Sequence, residues 1–173
     1  HLVQDYLSAN EDSVVYVVDD MPNPSTDFSD SSYSVRTILS GLIDGHAYGI
    51  DSAKPRIILI DGDFAHPKVL ALLAKHNFDA VFHLAAQPRV EVSVKNPVAI
   101  TEINLNKTLE LAKACAENQT RLVFSSTGAV YGNTDVIPTH EAVPQLATNP
   151  YGLSKYCAEQ YLGLFRTLYD LDY

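Results

Sequence analysis

A tyrosine and a lysine stand four residues apart in Tyr151-Gly-Leu-Ser-Lys155. Residues four apart on a helix share one face, so this spacing puts a phenol beside an ammonium group. A free tyrosine is a poor base at neutral pH, and a neighbouring positive charge favours its phenolate form. The pair is suited to accept a proton from a substrate hydroxyl while a hydride leaves the carbon. Taken alone, the spacing is better explained by an exposed tyrosine and a solvated lysine.

Hydroxyl side chains follow a predicted strand in Ser125-Ser-Thr-Gly-Ala-Val-Tyr-Gly132. The hydroxyl of Thr127 is suited to hydrogen-bond a reacting oxygen and to hold it near Tyr151. The alternative is an ordinary loop rich in Ser and Thr. That alternative loses weight because the cluster comes at the carboxyl end of a strand, where ligands of parallel sheets bind, and just ahead of the Tyr151–Lys155 helix.

Two aspartates also follow predicted strands. Asp19 ends the first apolar run, where a carboxylate accepts hydrogen bonds from both hydroxyls of an adenosine ribose. It would repel a 2′-phosphate, which favours NAD over NADP. Asp63, after Gly62, is placed to bond an adenine amino group. For Asp19 the alternative is a loop or cap aspartate, and for Asp63 a turn or capping role is equally well supported.

Other polar residues receive structural interpretations. His83 lies at the end of a buried strand, which favours a structural histidine over a catalytic one. The small residues after it let the backbone approach a flat ligand closely. Arg89 faces either a diphosphate or solvent, and solvent is preferred. Cys157 and the other histidines are given no role, and no Cys/His spacing predicts a metal site.

Strand and helix patterns alternate along the chain. Continuous apolar runs predict buried strands, and amphipathic periodicity predicts helices. Strands are predicted over 14–18, 56–60, 80–84 and 121–124, and helices from Leu2 and over 33–42, 66–76, 97–118 and 151–171. This order predicts an α/β fold, a Rossmann-like doubly wound parallel sheet with helices on both faces.

Composition excludes several classes of protein. The net charge of −9 argues against a nucleic-acid binder, which needs a basic face for phosphates. The longest apolar runs are far too short to span a bilayer. Two isolated cysteines, Cys115 and Cys157, fit a reducing cytoplasm better than a disulfide framework. We therefore expect a cytoplasmic protein with neither nucleic acid nor membrane as a partner.

Seven motifs in order resemble the NAD-dependent epimerase/dehydratase family of extended short-chain dehydrogenases/reductases, and they cover nearly the whole chain. They are Val-Val-Asp-Asp20, Gly-Asp63, His-Leu-Ala-Ala86, Ser-Val-x-x-Pro97, Asn104-x-x-x-Thr108, Ser-Ser-Thr-x-x-Val-Tyr-Gly132 and Asn-Pro-Tyr-Gly-x-Ser-Lys155. Each motif is weak singly, and their shared order is specific. The branch that epimerises nucleotide sugars is the most similar.

The resemblance implies a role for each matching residue. Those implied to bind NAD are Asp19 at the adenosine ribose, Asp20 and Asn23 beside the adenine end, Asp63 and Phe64 flanking adenine, Leu84, Ala85 and Ala86 along the cofactor, and Ser125 near the nicotinamide. Tyr151 is implied to be the base, and Lys155 to hold the nicotinamide ribose and tune Tyr151. Thr127 is implied to contact the sugar hydroxyl.

The implied reaction is 4-epimerisation of a UDP-hexose through a transient 4-keto sugar and NADH, with NAD regenerated. Dehydratases resembling this family carry an Asp-Glu pair after the threonine, whereas Thr127 is followed by Gly128-Ala129. Dehydration is therefore disfavoured. Keto-sugar reduction, nucleotide-sugar decarboxylation, and a non-catalytic nucleotide-binding protein on the same fold stay open.

The family also begins with a strand and a glycine-rich turn and continues into a substrate-binding portion, and none of these is recognisable in the sequence. We therefore expect residues 1–173 to be a partial NAD-binding domain, N- and C-terminally incomplete, that binds NAD poorly by itself. The resemblance further implies a homodimer through the long helices predicted over 97–118 and 151–171.

Overall fold

The fold is given by a computed structural model, which describes residues 15–19, 57–61 and 63–173. The chain divides into two compact units, His1–Asp63 and Phe64–Tyr173. The helices predicted from Leu2 and over 33–42 lie outside the described residues. None of the described helices is long and apolar enough to cross a membrane.

The first unit contains a parallel pair of strands, β1 (Val15–Asp19) and β2 (Ile57–Asp61). Their register runs from Val15 opposite Ile57 to Asp19 opposite Asp61. Both are runs of apolar, mostly β-branched residues, the composition of strands in parallel sheets. Each begins and ends one residue later than predicted, so an aspartate closes each strand.

The second unit contains a second parallel pair, β3 (Ala80–His83) and β4 (Arg121–Phe124). The helix α1 (Pro67–Lys75) precedes β3, and His66 caps its start by accepting a hydrogen bond from Lys68 N at 3.1 Å. Helices cross between β3 and β4, as the alternating pattern predicts for a parallel pair. After β4 come a 3₁₀ turn (Gly128–Tyr131) and a long final helix that ends at Tyr169.

The crossover between β3 and β4 differs from the single helix predicted over 97–118. It consists of α2 (Val90–Lys95), α3 (Pro97–Thr101), a π-helical turn (Glu102–Asn106) and α4 (Lys107–Glu117). The sequence did not predict α2, because Val90-Glu-Val-Ser-Val-Lys95 alternates apolar and polar residues as a strand does. Asn96 separates α2 from α3, since a residue that precedes proline disfavours the helical conformation.

The core of the second unit lies between its helices and β4. Seven buried residues form it: Leu73, Leu111, Ala112, Cys115, Leu122, Leu162 and Leu171. Burying each large aliphatic side chain contributes roughly 2 kcal/mol. After the final helix the chain turns at Asp170, which has a positive φ of 56°. It then returns beside β4, where Leu122 N donates to Asp172 O at 2.9 Å. This packing fixes the final helix, α5 (Pro150–Tyr169), against the end of β4.

Candidate active site

The start of α5 explains the order of residues in Asn149-Pro-Tyr-Gly152. Asn149 caps the helix, its Oδ1 accepting a hydrogen bond from Gly152 N at 2.9 Å. Pro150 occupies the first helical position, where a missing N–H costs nothing. Tyr151 follows in the first turn and is half-buried. The phenol of Tyr151 makes no hydrogen bond to any residue that the structure describes, so its oxygen is available to a substrate.

The glycine at position 152 allows α5 to approach the 3₁₀ turn closely. A Cβ placed on Gly152 would lie 2.6 Å from the carbonyl oxygen of Ala129, a distance real Cβ atoms do not show. Thr127 caps this turn, and its Oγ1 accepts from Ala129 N at 3.2 Å. The hydroxyl proton of Thr127 is therefore free to be donated. The contact packs the turn that carries Thr127 against the first turn of α5, the turn of Tyr151.

Lys155 is a buried cation one helical turn after Tyr151. It is 2% exposed, and its Nζ lies 4.2 Å from the ring centroid of Phe124. Burial lowers the pKa of Lys155 to about 8, and the negative charge of Glu159 acts in the opposite direction. The ammonium contacts this ring, and none of the described residues accepts a hydrogen bond from it. A lysine side chain that is buried while its ammonium keeps free donors is a candidate functional group.

His83 lies buried at the end of β3, as expected of a structural histidine. Its Nε2 is 2.8 Å from Thr108 Oγ1, which itself donates to Asn104 O at 2.9 Å. The threonine oxygen is therefore left to accept, so His83 carries its proton on Nε2. Burial, and secondarily the charge of Lys155, lowers the pKa of His83 to about 4. The imidazole is neutral at physiological pH.

Asn104 is a residue whose role the sequence did not indicate, although it begins the motif Asn104-x-x-x-Thr108. It is 1% exposed within the π-helical turn. Its side chain accepts from Gln87 N at 2.8 Å and donates to Gln87 O at 3.1 Å. The same amide lies 3.3 Å from Ser154 Oγ, so Asn104 ties the segment after β3 to α5. The spacing was the available signal, and it did not show what the amide would bind.

The residues predicted to bind a dinucleotide are distributed between the two units. At the carboxyl end of β3, Leu84 is 70% exposed, Ala85 is exposed and Ala86 is half-buried. Ser125 is exposed after β4, and its N–H donates to His83 O at 3.2 Å. An apolar side chain and small residues thus lie at the ends of neighbouring strands.

The remaining predicted cofactor residues belong to the first unit, except Phe64, which begins the second. Asp19 is the last residue of β1 and pairs in register with Asp61. Asp20 and Asn23 lie outside the described residues. Asp63 and Phe64 are half-buried, and the Phe64 ring lies 4.6 Å from the ring of His83, centroid to centroid.

The assembled side chains of the second unit suit proton transfer at an oxygen. Tyr151 offers a phenol, Thr127 a hydroxyl proton, and Lys155 a positive charge one turn away. Within the described ranges, no cluster of His, Cys, Asp or Glu is arranged to hold a metal ion. The chemistry available from these residues is acid–base chemistry with an electrostatic contribution.

Comparison with known proteins shows what the chain is similar to. The sequence profile of the GDP-mannose 4,6 dehydratase family matches residues 35–173. A UDP-glucose 4-epimerase of Mycolicibacterium smegmatis is 36% identical over 138 residues, which are 78% of this chain and 44% of that protein.

Two solved structures extend the comparison to the fold. The UDP-glucose 4-epimerase of Thermotoga maritima, solved with UDP-glucose, has a TM-score of 0.73 at 28% identity and covers 98% of this chain and 48% of its own. A dTDP-glucose 4,6-dehydratase of Streptomyces venezuelae, solved with NAD, has a TM-score of 0.74 at 26% identity, covering 99% and 48%. The chain therefore spans less than half the length of each of these three proteins.

The matched profile covers most of the chain, and the predicted α/β Rossmann-like fold is confirmed by these structural relatives. The chain belongs to the NAD-dependent epimerase/dehydratase family.

Proposed function

We propose that the protein containing this chain is an NAD-dependent nucleotide-sugar 4-epimerase that interconverts UDP-hexoses at C4. The observation that carries this proposal is the buried side chain of Lys155, one helical turn from Tyr151 on the helix that packs against the turn of Thr127. A largely buried lysine whose ammonium keeps free donors is a candidate functional group. The relatives named UDP-glucose 4-epimerase support the substrate class.

The exposed strand ends fit a dinucleotide cofactor. Leu84 and Ala85 present an apolar, uncrowded surface, and the ammonium donors of Lys155 remain available to ribose hydroxyls. The residues that would hold NAD are Asp19, Asp20, Asn23, Asp63, Phe64, Leu84, Ala85, Ala86, Ser125, Tyr151 and Lys155. Bound NAD supplies a reversible hydride acceptor for C4 of the sugar.

Residues of the chain itself transfer the proton and supply the positive charge. Tyr151, as its phenolate, accepts the proton of the sugar 4-hydroxyl. Thr127 donates a hydrogen bond to the same oxygen and so keeps it near Tyr151. Lys155 supplies a positive charge one helical turn from Tyr151, over the ring of Phe124. The 4-keto sugar then rotates, and Tyr151 returns the proton when the oxygen becomes a hydroxyl again.

A dehydratase is the second candidate, favoured by the matched profile and by the Streptomyces relative. Water elimination requires acid and base groups next to the reacting carbon chain. Thr127 is followed by Gly128 and Ala129, and a Cβ at Gly128 would meet nothing within 4 Å. Neither residue can act as an acid or a base, which supports epimerisation instead.

The test uses the longest natural form of the protein with UDP-galactose or UDP-N-acetylgalactosamine and NAD. Chromatography should show the C4 epimer with no net reduction of NAD. Tyr151→Phe should lower the rate on the order of 10²–10⁴-fold, because the proton acceptor is removed. Tyr169→Phe, an exposed tyrosine on the same helix, should retain the rate and serves as the control.

Other products would indicate a different activity. A 4-keto-6-deoxy product identifies a dehydratase, and stoichiometric consumption of reduced cofactor identifies a reductase. Loss of carbon dioxide from a UDP-uronic acid identifies a decarboxylase. If no nucleotide sugar is altered, a non-catalytic role on the same fold becomes the better explanation.

We further propose a homodimer and a cytoplasmic location. Apolar side chains on α5 form an exposed stripe at helical spacing, namely Leu153, Tyr161, Leu164 and Leu168. Exposed apolar stripes of this kind mark protein contacts. Both cysteines are free thiols, which agrees with a reducing compartment. Sedimentation of the natural protein tests the dimer, and fractionation of its source cells tests the location.

A further inference from the structure

The carboxylate of Glu159 joins two segments of chain that flank the candidate site. It accepts a hydrogen bond from the Ser126 hydroxyl through Oε1. Through Oε2 it accepts a second one from Gln145 Nε2 at 3.0 Å. Ser126 belongs to the segment after β4, and Gln145 to the loop that leads into α5. One side chain of α5 therefore fastens both segments to the helix.

The position of Glu159 on α5 relates it to the reacting groups. Tyr151, Lys155 and Glu159 follow one another at intervals of four residues, so they lie in a column on one face of the helix. Ser126, the residue fastened by Glu159, directly precedes Thr127. The bond thus acts on the segment that carries the proposed substrate hydroxyl donor.

The charge of Glu159 acts on Lys155. The ammonium lies over the ring of Phe124 from β4, its charge acts on His83 of β3, and the charge of Glu159 from its own helix acts on it. His83 is neutral near pH 7 because its pKa is about 4. Phe124 carries no charge, whereas Glu159 raises the pKa of Lys155 and so opposes the effect of burial. Glu159 therefore favours the charged form of the lysine.

We propose that Glu159 is a positioning residue, which fastens the Thr127 segment to the helix of Tyr151 and Lys155 and supplies the countercharge of Lys155. This assignment deepens the proposed epimerase function and rests on it for its catalytic meaning. In this role, Glu159 acts through both the hydrogen bonds and the charge of its carboxylate.

Three variants of the longest natural form separate these two contributions. Glu159→Ala removes both the hydrogen bonds and the charge. Glu159→Gln keeps a side chain able to bond Ser126 but removes the charge. Ser126→Ala removes one hydrogen bond and leaves the charge in place. Glu117→Ala, an exposed carboxylate on α4, is the matched control.

Two readouts need no substrate. Hydrogen exchange should be faster over 125–129 in Glu159→Ala and Ser126→Ala, and near the natural rate in Glu159→Gln. NMR titration of the Lys155 ¹³Cε should give a lower midpoint in Glu159→Ala and Glu159→Gln, since the countercharge is gone. The midpoint in Ser126→Ala and Glu117→Ala should stay at its natural value.

The catalytic readout follows from these two. Glu159→Ala should lower kcat on the order of tenfold, because the hydroxyl donor is no longer held in place. The alkaline limb of its pH–kcat profile should move to lower pH, as Lys155 loses its proton earlier. Glu159→Gln should share that shift with a smaller loss of kcat.

The outcomes separate this proposal from the proposed function. Natural exchange rates in Glu159→Ala, or a Lys155 midpoint that does not move, would overturn the role of Glu159 even if the protein is an epimerase. If the unaltered protein epimerises no nucleotide sugar, the proposed function fails. The exchange and NMR results would then still support or overturn the role of Glu159 as fastening and countercharge.

Discussion

The segments that follow β3 and β4 are held to the same helix by different chemistry. Asn104 binds both the N–H and the C=O of Gln87 in the segment after β3 and is 1% exposed. Glu159 binds Ser126 in the segment after β4 and is only half-buried. The first fastening is made by a neutral, buried side chain, and the second by a charged, half-buried one.

The kind of side chain at each place follows from how much charge its surroundings tolerate. A buried amide satisfies one backbone donor and one backbone acceptor without moving a net charge out of water. A carboxylate in that enclosed place would lack the donor and would carry a large desolvation cost. Glu159 lies where a buried cation requires a negative neighbour, so its charge has a partner there.

The largest effect is expected from Asn104→Ala. It leaves the N–H and C=O of Gln87 without their partner and opens a cavity, so the free energy of unfolding should fall by about 3 kcal/mol. Asn106→Ala, in the same π-helical turn but exposed, should cost less than about 0.5 kcal/mol. Urea unfolding measures both. Equal losses of unfolding free energy in the two variants would show that the buried amide of Asn104 stabilises the fold no more than the exposed amide of Asn106.

Acid is expected to lower the free energy of unfolding by a smaller amount, through His83. This histidine bonds Thr108, which in turn donates to Asn104 O. Its pKa in the fold, about 4, lies below the ordinary value of 6.5. The unfolded chain therefore binds the proton first, and stability is lost as pH falls from 6.5 towards 4. Between pH 7 and pH 5 this histidine should account for about 2 kcal/mol of the loss.

Substitution isolates that contribution from the titrating carboxylates. His83→Gln should reduce the difference in unfolding free energy between pH 7 and pH 5, whereas His140→Gln, an exposed histidine, should leave it unchanged. An unaltered pH dependence in His83→Gln would show that the imidazole is not held neutral by the fold.

The smallest effect is expected at the contact between α5 and the 3₁₀ turn. Gly152→Ala gains about 1 kcal/mol of helix propensity but forces its Cβ against Ala129 O, which costs about 1–3 kcal/mol. The net loss should be about 1 kcal/mol. Gly163→Ala on the same helix meets only the end of the Tyr173 side chain at 3.3 Å and should be neutral or stabilising. Thermal unfolding compares the two, and a stabilised Gly152→Ala would rule out the close contact.

Part of this molecule was predictable from the sequence because local pattern and tertiary structure agree there. The four strands were predicted to within a residue, since each is a short apolar run bounded by polar residues. The start of α5 was predicted to within a residue, because Asn149 and Pro150 are residue types that begin helices. The helix α2 was missed, because its alternating pattern reflects an exposed surface helix rather than a sheet.

Residues of the candidate site were predictable only where residue type and local position are enough to indicate their chemistry. Tyr151, Lys155 and Thr127 were identified by residue type, spacing and position after a strand. Asn104 and Glu159 were not given roles, because their function is defined by Gln87, Ser126 and Gln145, which are distant in sequence. A pattern along the chain does not show which long-range hydrogen bonds a buried amide or carboxylate will form.

Because the crossover contains the π-helical turn Glu102–Asn106, its structure depends on the number of its residues as well as on their identity. A π-helical turn holds one residue more than an α-helical turn, so removing one residue there would convert it to regular α-helix, whereas adding one would turn one flank relative to the other by about 100°. After such an insertion, either Ile100 or the core positions Leu111 and Cys115 would point away from the interior. Exposed Glu102 and Asn106 are open to exchange, whereas gain of a single residue would change the phase of the helix.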